Sequence, residues 1–379
     1  MRALFVSPAA DIYGSERSML EAIRTMDQIH CEVACTLGGN LEVELRQQDI
    51  AAHHLPFTGA SIRQRPDQHL RLFARFQQVI KRSKPDVVVI NLSGNTPVLS
   101  LACMVRRIPL IRFQRFEFGR PGRWIDRFCL RRASAIISVS RHVQAQVERW
   151  MNSNHSDRVH YLCEPQPLPA LAEPVPSKRR KSSGLPEVPH LGFVGRLHRL
   201  KRVETFIQAI PFVRDRFPDV RALIIGGHDG GPDGRAYAGE LLDIAERSKC
   251  PDAVSFLGYR NDVLELVAAC DLIVLPSQTE SFGRALAEAW SVGVPTIAAD
   301  ISACREITEA SGGGLLFPPG DPAELAARIV ELLEAPDRAR KMGRQGRDWV
   351  ARECDPASYG RRLEEVLLQV VRAEPQPHR

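Results

Sequence analysis

Long apolar runs and aromatic residues are both scarce in this sequence. Aromatic side chains make up 6% of its 379 residues. The longest stretch without a charged residue, residues 87–105, carries Asn91, Ser93 and Asn95 in its middle, which is too polar for a bilayer-spanning helix. The apolar stretch before Asp11 is too short for the hydrophobic region of a secretory signal. We therefore expect a globular chain with neither of these segments.

Paired cysteines and several common catalytic motifs are also missing. The nine cysteines include no C-x-x-C pair, which favours reduced thiols and a cytoplasmic location. No spacing of Cys and His is typical of a metal site, so we expect no metal. The sequence has no P-loop, no G-x-G-x-x-G and no G-x-S-x-G. These absences argue against P-loop NTPases, dinucleotide-binding Rossmann enzymes and serine hydrolases of the nucleophile-elbow type.

Positive charge is concentrated in the first half of the chain. Residues 1–180 carry 26 basic and 16 acidic residues, whereas the remainder carries 25 basic and 29 acidic residues. Residues 51–150 alone hold 18 basic and 5 acidic residues. This imbalance favours an anionic partner, such as a phosphorylated substrate, an anionic membrane surface or a nucleic acid. A solvated, arginine-rich face is the alternative interpretation of the same pattern.

Short apolar runs alternate with amphipathic helical patterns, and this alternation predicts parallel sheets covered by helices on both faces. A proline-rich, basic stretch interrupts the alternation, and we interpret residues 166–189 as a linker. We therefore predict an α/β protein with two doubly wound domains, residues 1–165 and 190–355, which face each other across a cleft. Residues 356–379 are predicted to form a C-terminal helix and a polar tail.

The first candidate site follows the first strand of the second domain. Gly195 ends that predicted strand, Arg196 lies in the following loop, and Lys201 lies near the start of the next helix. Two cations beside a helix N-terminus are suited to binding phosphate groups. Because Arg199 and Arg202 lie in the same loop, a solvated basic loop is the alternative.

The second candidate site contains two carboxylates near the start of another helix. Glu280 precedes Gly283, which permits close backbone approach where a helix begins, and the backbone N–H groups of Phe282 to Ala285 are free to hold an anion. Glu288 lies farther along that mostly apolar helix, where a carboxylate needs a specific partner. A loop carboxylate is suited to sugar hydroxyls, and a helical one to the paired hydroxyls of a ribose. Both residues could instead be ordinary surface acids.

Taken together, the second half of the chain resembles the retaining glycosyltransferases of family 4, which adopt the two-domain GT-B architecture. Each matching segment is unspecific alone, but their order and spacing are highly specific. The matching segments are residues 192–197 with Lys201, 223–227, 254–259, 269–277, 280–288, 293–295, 305–307 and 314–321. The resemblance extends more weakly to the first half through residues 13–16 and 133–140.

The resemblance implies roles for the candidate residues. Arg196 and Lys201 would hold the diphosphate of a nucleotide-sugar donor and stabilise charge on the leaving group, without a metal or other cofactor. Glu280 would face the donor sugar, as the third catalytic residue, and Glu288 would bind the ribose. The other donor-binding residues implied in this way are Gly14, Ser15, Gly195, Tyr259, Ser281, Phe282 and Gly283.

The resemblance also implies that transfer retains the anomeric configuration, with the leaving phosphate oxygen taking the acceptor's proton. Members of the family often place a histidine after the strand that corresponds to residues 109–113. This chain has Gln114 and Arg115 there, so the donor contact of that histidine is either replaced by one of them or lost. Both residues are also candidates for contact with the acceptor. The C-terminal helix is expected to return to the first domain.

The expected function is a metal-independent hexosyltransferase that uses a UDP or GDP sugar in cell-surface polysaccharide synthesis. Its acceptor would be a glycan or glycolipid. A basic helix at residues 69–82 and aromatics within residues 106–132 favour peripheral contact with the inner face of the cytoplasmic membrane. No segment resembles a nucleic-acid-binding module. A nucleotide-sugar epimerase or hydrolase, and a degenerate GT-B module that only binds, are the alternatives.

Overall fold

The computed structural model divides the chain into two compact units. We call them the N-terminal unit (Met1–Pro165 with Pro356–Arg379) and the C-terminal unit (Gln166–Asp355). The residues that the structure describes are 1–57, 64–91, 96–116, 124–151, 157–169, 184–228 and 231–373. Residues 170–183 of the expected linker, and residues 117–123 of the basic aromatic run, lie outside the described residues.

A parallel sheet of seven strands forms the centre of the N-terminal unit. These strands are β1 (Arg2–Val6), β2 (His30–Cys35), β3 (Ala52–His54), β4 (Val87–Ile90), β5 (Leu110–Gln114), β6 (Ala135–Ser138) and β7 (Val159–Tyr161). They lie in the order β3-β2-β1-β4-β5-β6-β7, and each neighbouring pair is parallel. Parallel neighbours need a crossover between them, and helices supply it here.

Helices cover both faces of this sheet. They are α1 (Gly14–Arg24), α2 (Asn40–Gln47), α3 (Pro66–Ser83), α4 (Thr96–Arg106), α5 (Trp124–Arg132) and α6 (Arg141–Met151). Along β1, Phe5 packs into the core on one face, whereas Leu4 and Val6 pack into the core on the other. Burial on both faces explains why these strands are continuous apolar runs rather than alternating ones.

The C-terminal unit repeats this plan with six parallel strands. They are β8 (His190–Val194), β9 (Arg221–Ile225), β10 (Val254–Gly258), β11 (Leu272–Leu275), β12 (Thr296–Ala299) and β13 (Gly314–Phe317), in the order β10-β9-β8-β11-β12-β13. Its helices are α7 (Val203–Arg214), α8 (Pro232–Glu246), α9 (Val263–Ala269), α10 (Arg284–Ser291), α11 (Ser302–Ser311), α12 (Pro322–Glu334) and α13 (Pro336–Glu353). The predicted α/β class with two doubly wound sheets is confirmed.

The last helix, α14 (Pro356–Ala373), belongs to the N-terminal unit and packs against α1. Tyr359, Leu363 and Leu367 are buried in the same apolar core as Phe5. The carboxylate of Glu364 accepts a hydrogen bond of 2.7 Å from a backbone N–H of the N-terminal segment. The C-terminal helix therefore returns to the first domain, as the sequence predicted.

Two further observations concern membrane-spanning helices and cysteines. Within the described residues, no helix combines the length and the apolar character that crossing a membrane requires. All nine cysteines are described, and each is buried with a free thiol. Burial, reinforced by the nearby carboxylate of Glu42, raises the pKa of Cys35 to about 11, so this thiol is protonated at neutral pH.

Close packing between α14 and α1 yields a stability prediction. A Cβ at Gly360 would lie 2.0 Å from Thr25 Oγ1 and 2.8 Å from Thr25 Cβ. We expect Gly360→Ala to lower the free energy of unfolding by about 1–3 kcal/mol, because the two helices must separate. The matched control is Gly239→Ala in α8, where no heavy atom lies within 4 Å of the new Cβ. Urea denaturation of both variants measures the difference, and equal stabilities would contradict it.

Candidate active site

Three strand-end turns meet at the carboxyl edge of the C-terminal sheet. The N–H of Gly195 donates to the carbonyl of Ile225 at 3.0 Å, and the N–H of Gly226 donates to the carbonyl of Gly258 at 2.8 Å. Gly226 has φ +132°, and a Cβ there would lie 2.0 Å from the Gly195 carbonyl oxygen. Only glycine allows this backbone approach, so these residues fix how the turns after β8, β9 and β10 pack.

The turn after β8 carries the first candidate cations. Arg196 is exposed, and Lys201 ends a single 3-10 turn, Arg199–Lys201. Arg202 then adopts the left-handed conformation, with φ 52°, before α7 begins at Val203. Lys201 thus precedes the helix in a separate turn, whereas the sequence suggested the start of the helix itself.

Two side chains of α8, Tyr237 and Glu240, contact this turn and the start of α7. The Arg199 guanidinium forms two hydrogen bonds, of 2.8 and 2.5 Å, with the carboxylate of Glu240. The hydroxyl of Tyr237 accepts the backbone N–H of Val203 at 3.0 Å and donates to the carboxylate of Glu204. Sequence reasoning did not find Tyr237 or Glu240, because their contacts join residues more than 30 positions apart.

Lys201 and Glu280, which lie 79 positions apart, are in direct contact. The Lys201 Nζ lies 2.5 Å from Glu280 Oε1, and the two side chains are 26% and 11% exposed. The buried hydroxyl of Ser277 donates to the same oxygen at 2.7 Å. A backbone hydrogen bond of 2.8 Å, from Gln278 N–H to the Leu200 carbonyl, ties the two loops together. Ser277 is a site residue that the sequence analysis did not single out.

The rest of the second cluster leads into α10. Gly283 is the residue before this helix and is left-handed, with φ 89°, while Phe282 is buried and Ser281 is partly buried. Glu288 lies within α10, and its Oε1 is 3.1 Å from the Nε of Arg284, one turn earlier. The specific partner expected for Glu288 is therefore Arg284, a neighbour on the same helix.

Tyr259 follows β10 and is 68% exposed. A Cβ at Gly227 would lie 2.8 Å from two atoms of the Tyr259 ring, so the ring rests on the Gly227 backbone. Tyr259 thus presents an open aromatic face beside the meeting point of the glycine turns. The structure brings Gly195, Tyr259, Lys201 and Glu280 to the carboxyl ends of one sheet, where parallel α/β sheets bind ligands.

The candidates at the start of the chain lie in the N-terminal unit. Gly14 is the first residue of α1, and the hydroxyl of Ser15 donates to the carboxylate of Glu16 at 2.8 Å. Glu16 is fully buried and also accepts the Ser7 hydroxyl at 2.7 Å. The Ser15 carbonyl accepts a hydrogen bond of 3.1 Å from the side chain of Asn91. An internal carboxylate therefore already occupies the first turn of this helix.

Gln114 and Arg115, at the end of β5, are both buried. The Arg115 guanidinium forms an ion pair with Glu164 and donates to Asn91 Oδ1 at 2.9 Å. Burial alone would lower the pKa of Arg115, but the carboxylates of Glu164 and Glu16, with Tyr359, raise it above its usual value. Arg115 is thus held by partners within its own unit.

The described residues include no group of three or more His, Cys, Asp and Glu side chains arranged to hold a metal ion. The candidate site instead combines the ammonium of Lys201 with the carboxylate of Glu280, and the turn after β8 adds the guanidinium of Arg196. Such a set is suited to binding phosphate oxygens and sugar hydroxyls.

This fold and this strand-end site define a GT-B protein, a class with two Rossmann-like units. HepE of Anabaena in complex with UDP-glucose superposes with a TM-score of 0.83 and 23% sequence identity, over 97% of this chain and all of that one. A family model described as "Glycosyl transferases group 1" matches residues 176–349, and one described as "Glycosyltransferase Family 4" matches residues 12–165. The chain belongs to the group 1 glycosyltransferases of family 4 type.

The alignments with curated relatives cover only part of each relative's length. The D-inositol 3-phosphate glycosyltransferase of Corynebacterium kroppenstedtii is 30% identical over 203 residues, which are 52% of this chain and 44% of that protein. The N-acetyl-alpha-D-glucosaminyl L-malate synthase of Bacillus anthracis is 28% identical over 179 residues, which are 47% of this chain and 45% of that protein. This chain thus spans less than half of each relative.

Proposed function

We propose that this chain is a retaining, metal-independent hexosyltransferase. It moves a sugar from a UDP or GDP sugar to a glycan or glycolipid acceptor in cell-surface polysaccharide synthesis. The observation that carries this proposal is the contact between Lys201 and Glu280 beside the glycine turns. A cation for phosphate and a carboxylate for sugar hydroxyls are thereby placed about one hydrogen bond apart.

The donors and acceptors left at this pair suit a nucleotide sugar. An ammonium has three N–H donors, and Glu280 takes one of those of Lys201. Within the described residues, both hydrogen bonds to the Glu280 carboxylate end on Oε1, which leaves Oε2 for a sugar hydroxyl. Lys201, with Arg196, then stabilises the negative charge that develops on the leaving diphosphate.

Retention of configuration requires little from the protein. The acceptor hydroxyl attacks the anomeric carbon on the face from which the diphosphate leaves, and the departing phosphate oxygen takes the hydroxyl proton. The residues of this chain then position the donor and stabilise the leaving charge. Tyr259, resting on Gly227, offers a flat surface for the nucleobase, and Glu288 offers a carboxylate for the ribose.

The names of similar proteins support a nucleotide-sugar donor. HepE is described with UDP and with UDP-glucose, which favours UDP as the first nucleotide to test here. The acceptors named for two relatives, inositol 3-phosphate and L-malate, are both anionic. An anionic acceptor also agrees with the positive charge of residues 51–150.

Removal of either charge at the strand-end pair is expected to abolish transfer. We expect Lys201→Ala and Glu280→Ala each to lower turnover of the nucleotide sugar at least about 100-fold, because leaving-group stabilisation or sugar positioning is lost. Thermal shifts with UDP, GDP and ADP identify the nucleotide first, and release of that nucleotide from its sugar conjugates then measures turnover.

Arg199→Ala is the matched control for these variants. It removes a cation from the same turn, but one that faces Glu240, so turnover should stay within about threefold of wild type. Wild-type turnover in Lys201→Ala or Glu280→Ala would contradict the site. Donor turnover without acceptor would indicate an epimerase or hydrolase, and nucleotide binding without turnover would indicate a binding module.

Chelation tests the proposed independence from metal. If Lys201 and Arg196 supply the charge stabilisation, millimolar EDTA should leave the initial rate unchanged, and added Mg²⁺ or Mn²⁺ should not raise it. The assay uses enzyme dialysed against EDTA. A rate that falls to background and returns with a divalent ion would refute the metal-independent mechanism.

We further propose that the N-terminal unit contacts an anionic membrane surface, as the sequence led us to expect, and the outer faces of α4 and α5 support this. A surface pocket of about 540 Å³ is lined by Arg127, Phe128, Arg131 and Arg132. Helix α4, which packs against α5, exposes apolar side chains, including Val105. Guanidinium groups next to exposed apolar side chains are suited to the headgroup region of an anionic bilayer.

Vesicle binding measures this contact. We expect the double variant Arg127→Glu with Arg131→Glu to bind vesicles of phosphatidylcholine with about 30% phosphatidylglycerol at least tenfold more weakly than wild type. The estimate takes about 1 kcal/mol for each basic residue at the surface. Arg247→Glu with Arg344→Glu, which makes the same charge change in the C-terminal unit, is the control. Equal loss in both variants, or no binding by wild type, would contradict a specific face.

A further inference from the structure

Arg112 is a buried cation in the middle of the N-terminal sheet. It lies at the centre of β5, between Ile90 of β4 and Ile136 of β6 in the strand register, and is 3% exposed. Its Nε and Nη1 atoms have no hydrogen-bond partner among the residues that the structure describes. Because arginine stays protonated inside proteins, two donor atoms of a full positive charge are unsatisfied here.

Two more unsatisfied polar atoms lie next to Arg112 on the same face of the sheet. Gln114 is two residues farther along β5, and Ser138 is its register partner at the end of β6. Within the described part of the chain, neither Gln114 Oε1 nor Ser138 Oγ has a hydrogen-bond partner. The amide nitrogen of Gln114 donates to the Phe116 carbonyl at 2.5 Å, and this contact fixes the side chain. Gln114 and Ser138 are the last residues of their strands.

Arg115, directly after β5, is a buried arginine of the same unit whose guanidinium has hydrogen-bond and ion-pair partners. It is as deeply buried as Arg112, but it is paired with Glu164 and Asn91. The pKa of Arg115 is raised, whereas burial lowers the pKa of Arg112 despite the nearby Cys129 and Asp126. No ion pair of Arg112 within 4.0 Å occurs among the described residues, so it lacks the partner that Arg115 has.

We propose that Arg112, Gln114 and Ser138 form a binding site for a hydroxylated anion, with a phosphate or carboxylate group next to a hydroxyl. Arg112 and the Ser138 hydroxyl donate to the anionic oxygens, and Gln114 Oε1 accepts the ligand hydroxyl. The carboxyl ends of parallel strands are where such sheets bind ligands. That this anion belongs to the sugar acceptor rests on the proposed function; the binding itself does not.

Thermal unfolding of the full chain with inorganic phosphate tests the site, with KCl added to hold ionic strength constant. At saturating phosphate we expect the midpoint of wild type to rise by about 5 °C. Arg112→Met should lose most of this shift and keep only the part that the donor site contributes. Without phosphate it should melt at or above the wild-type temperature, because an unpaired buried charge is replaced by an apolar chain of similar length. Arg112→Lys keeps the charge and should keep part of the shift.

Lys201→Ala separates this site from the donor site, which also binds phosphate groups. We expect Lys201→Ala to keep most of the phosphate shift. A shift that is as large in Arg112→Met as in wild type, or that is absent from wild type, would overturn the proposal. So would strong destabilisation of Arg112→Met in the absence of phosphate, since Arg112 would then be a structural residue. Parallel titration with malonate distinguishes a carboxylate from a phosphate preference.

Titration of the same variants with UDP distinguishes failure of this anion site from failure of the proposed function. If both hold, Lys201→Ala loses the UDP shift and Arg112→Met keeps it. A UDP shift without an Arg112-dependent anion shift would overturn the anion site alone. An Arg112-dependent anion shift without any nucleotide shift would support the anion site and overturn the proposed transferase.

Discussion

Backbone contact between the glycine turns governs the geometry of the C-terminal unit. Gly226 lies so close to the Gly195 carbonyl that no side chain fits between them. These contacts fix the path of the chain after β8. The 3-10 turn that ends at Lys201 is then joined to the loop after β11 by the hydrogen bond from Gln278 N–H to the Leu200 carbonyl. The contact between Lys201 and Glu280 follows from that arrangement, since neither residue lies in a regular helix or strand.

The two units share a strand order but treat charge differently. The C-terminal unit places its charged groups in loops and first turns, where a ligand can reach them, and Glu280 remains 11% exposed. The N-terminal unit, besides its surface charges, buries Glu16, Arg112, Arg115 and Glu164, and a buried charge needs a partner. Glu164 and Asn91 provide that partner for Arg115. Arg112, within β5, has no such partner among the described residues, whereas Arg115, directly after β5, does.

Much of this architecture could be predicted from the sequence, because apolar strands and helical periodicity are local signals. The exact position of a helix start was not predicted where the backbone leaves the helical conformation. Lys201 lies in a separate turn because Arg202 is left-handed. Arg284, the partner of Glu288, lies four residues earlier on a helix that the sequence predicted, so this contact could have been found from the spacing. The unsatisfied state of Arg112 could not be predicted, because the sequence does not show whether an arginine within an apolar run is paired, exposed or unsatisfied.

The return of α14 to the N-terminal unit has a consequence for synthesis of the chain. Tyr359 and Leu363 complete a core that begins with the first strand, so the C-terminal unit is an insertion within the chain of the N-terminal unit. The two crossings lie side by side, with Gln166 N–H bonded to the Cys354 carbonyl at 2.8 Å. On the ribosome, the inserted unit can fold first, while the unit that emerges earliest must wait for the last helix to close its core.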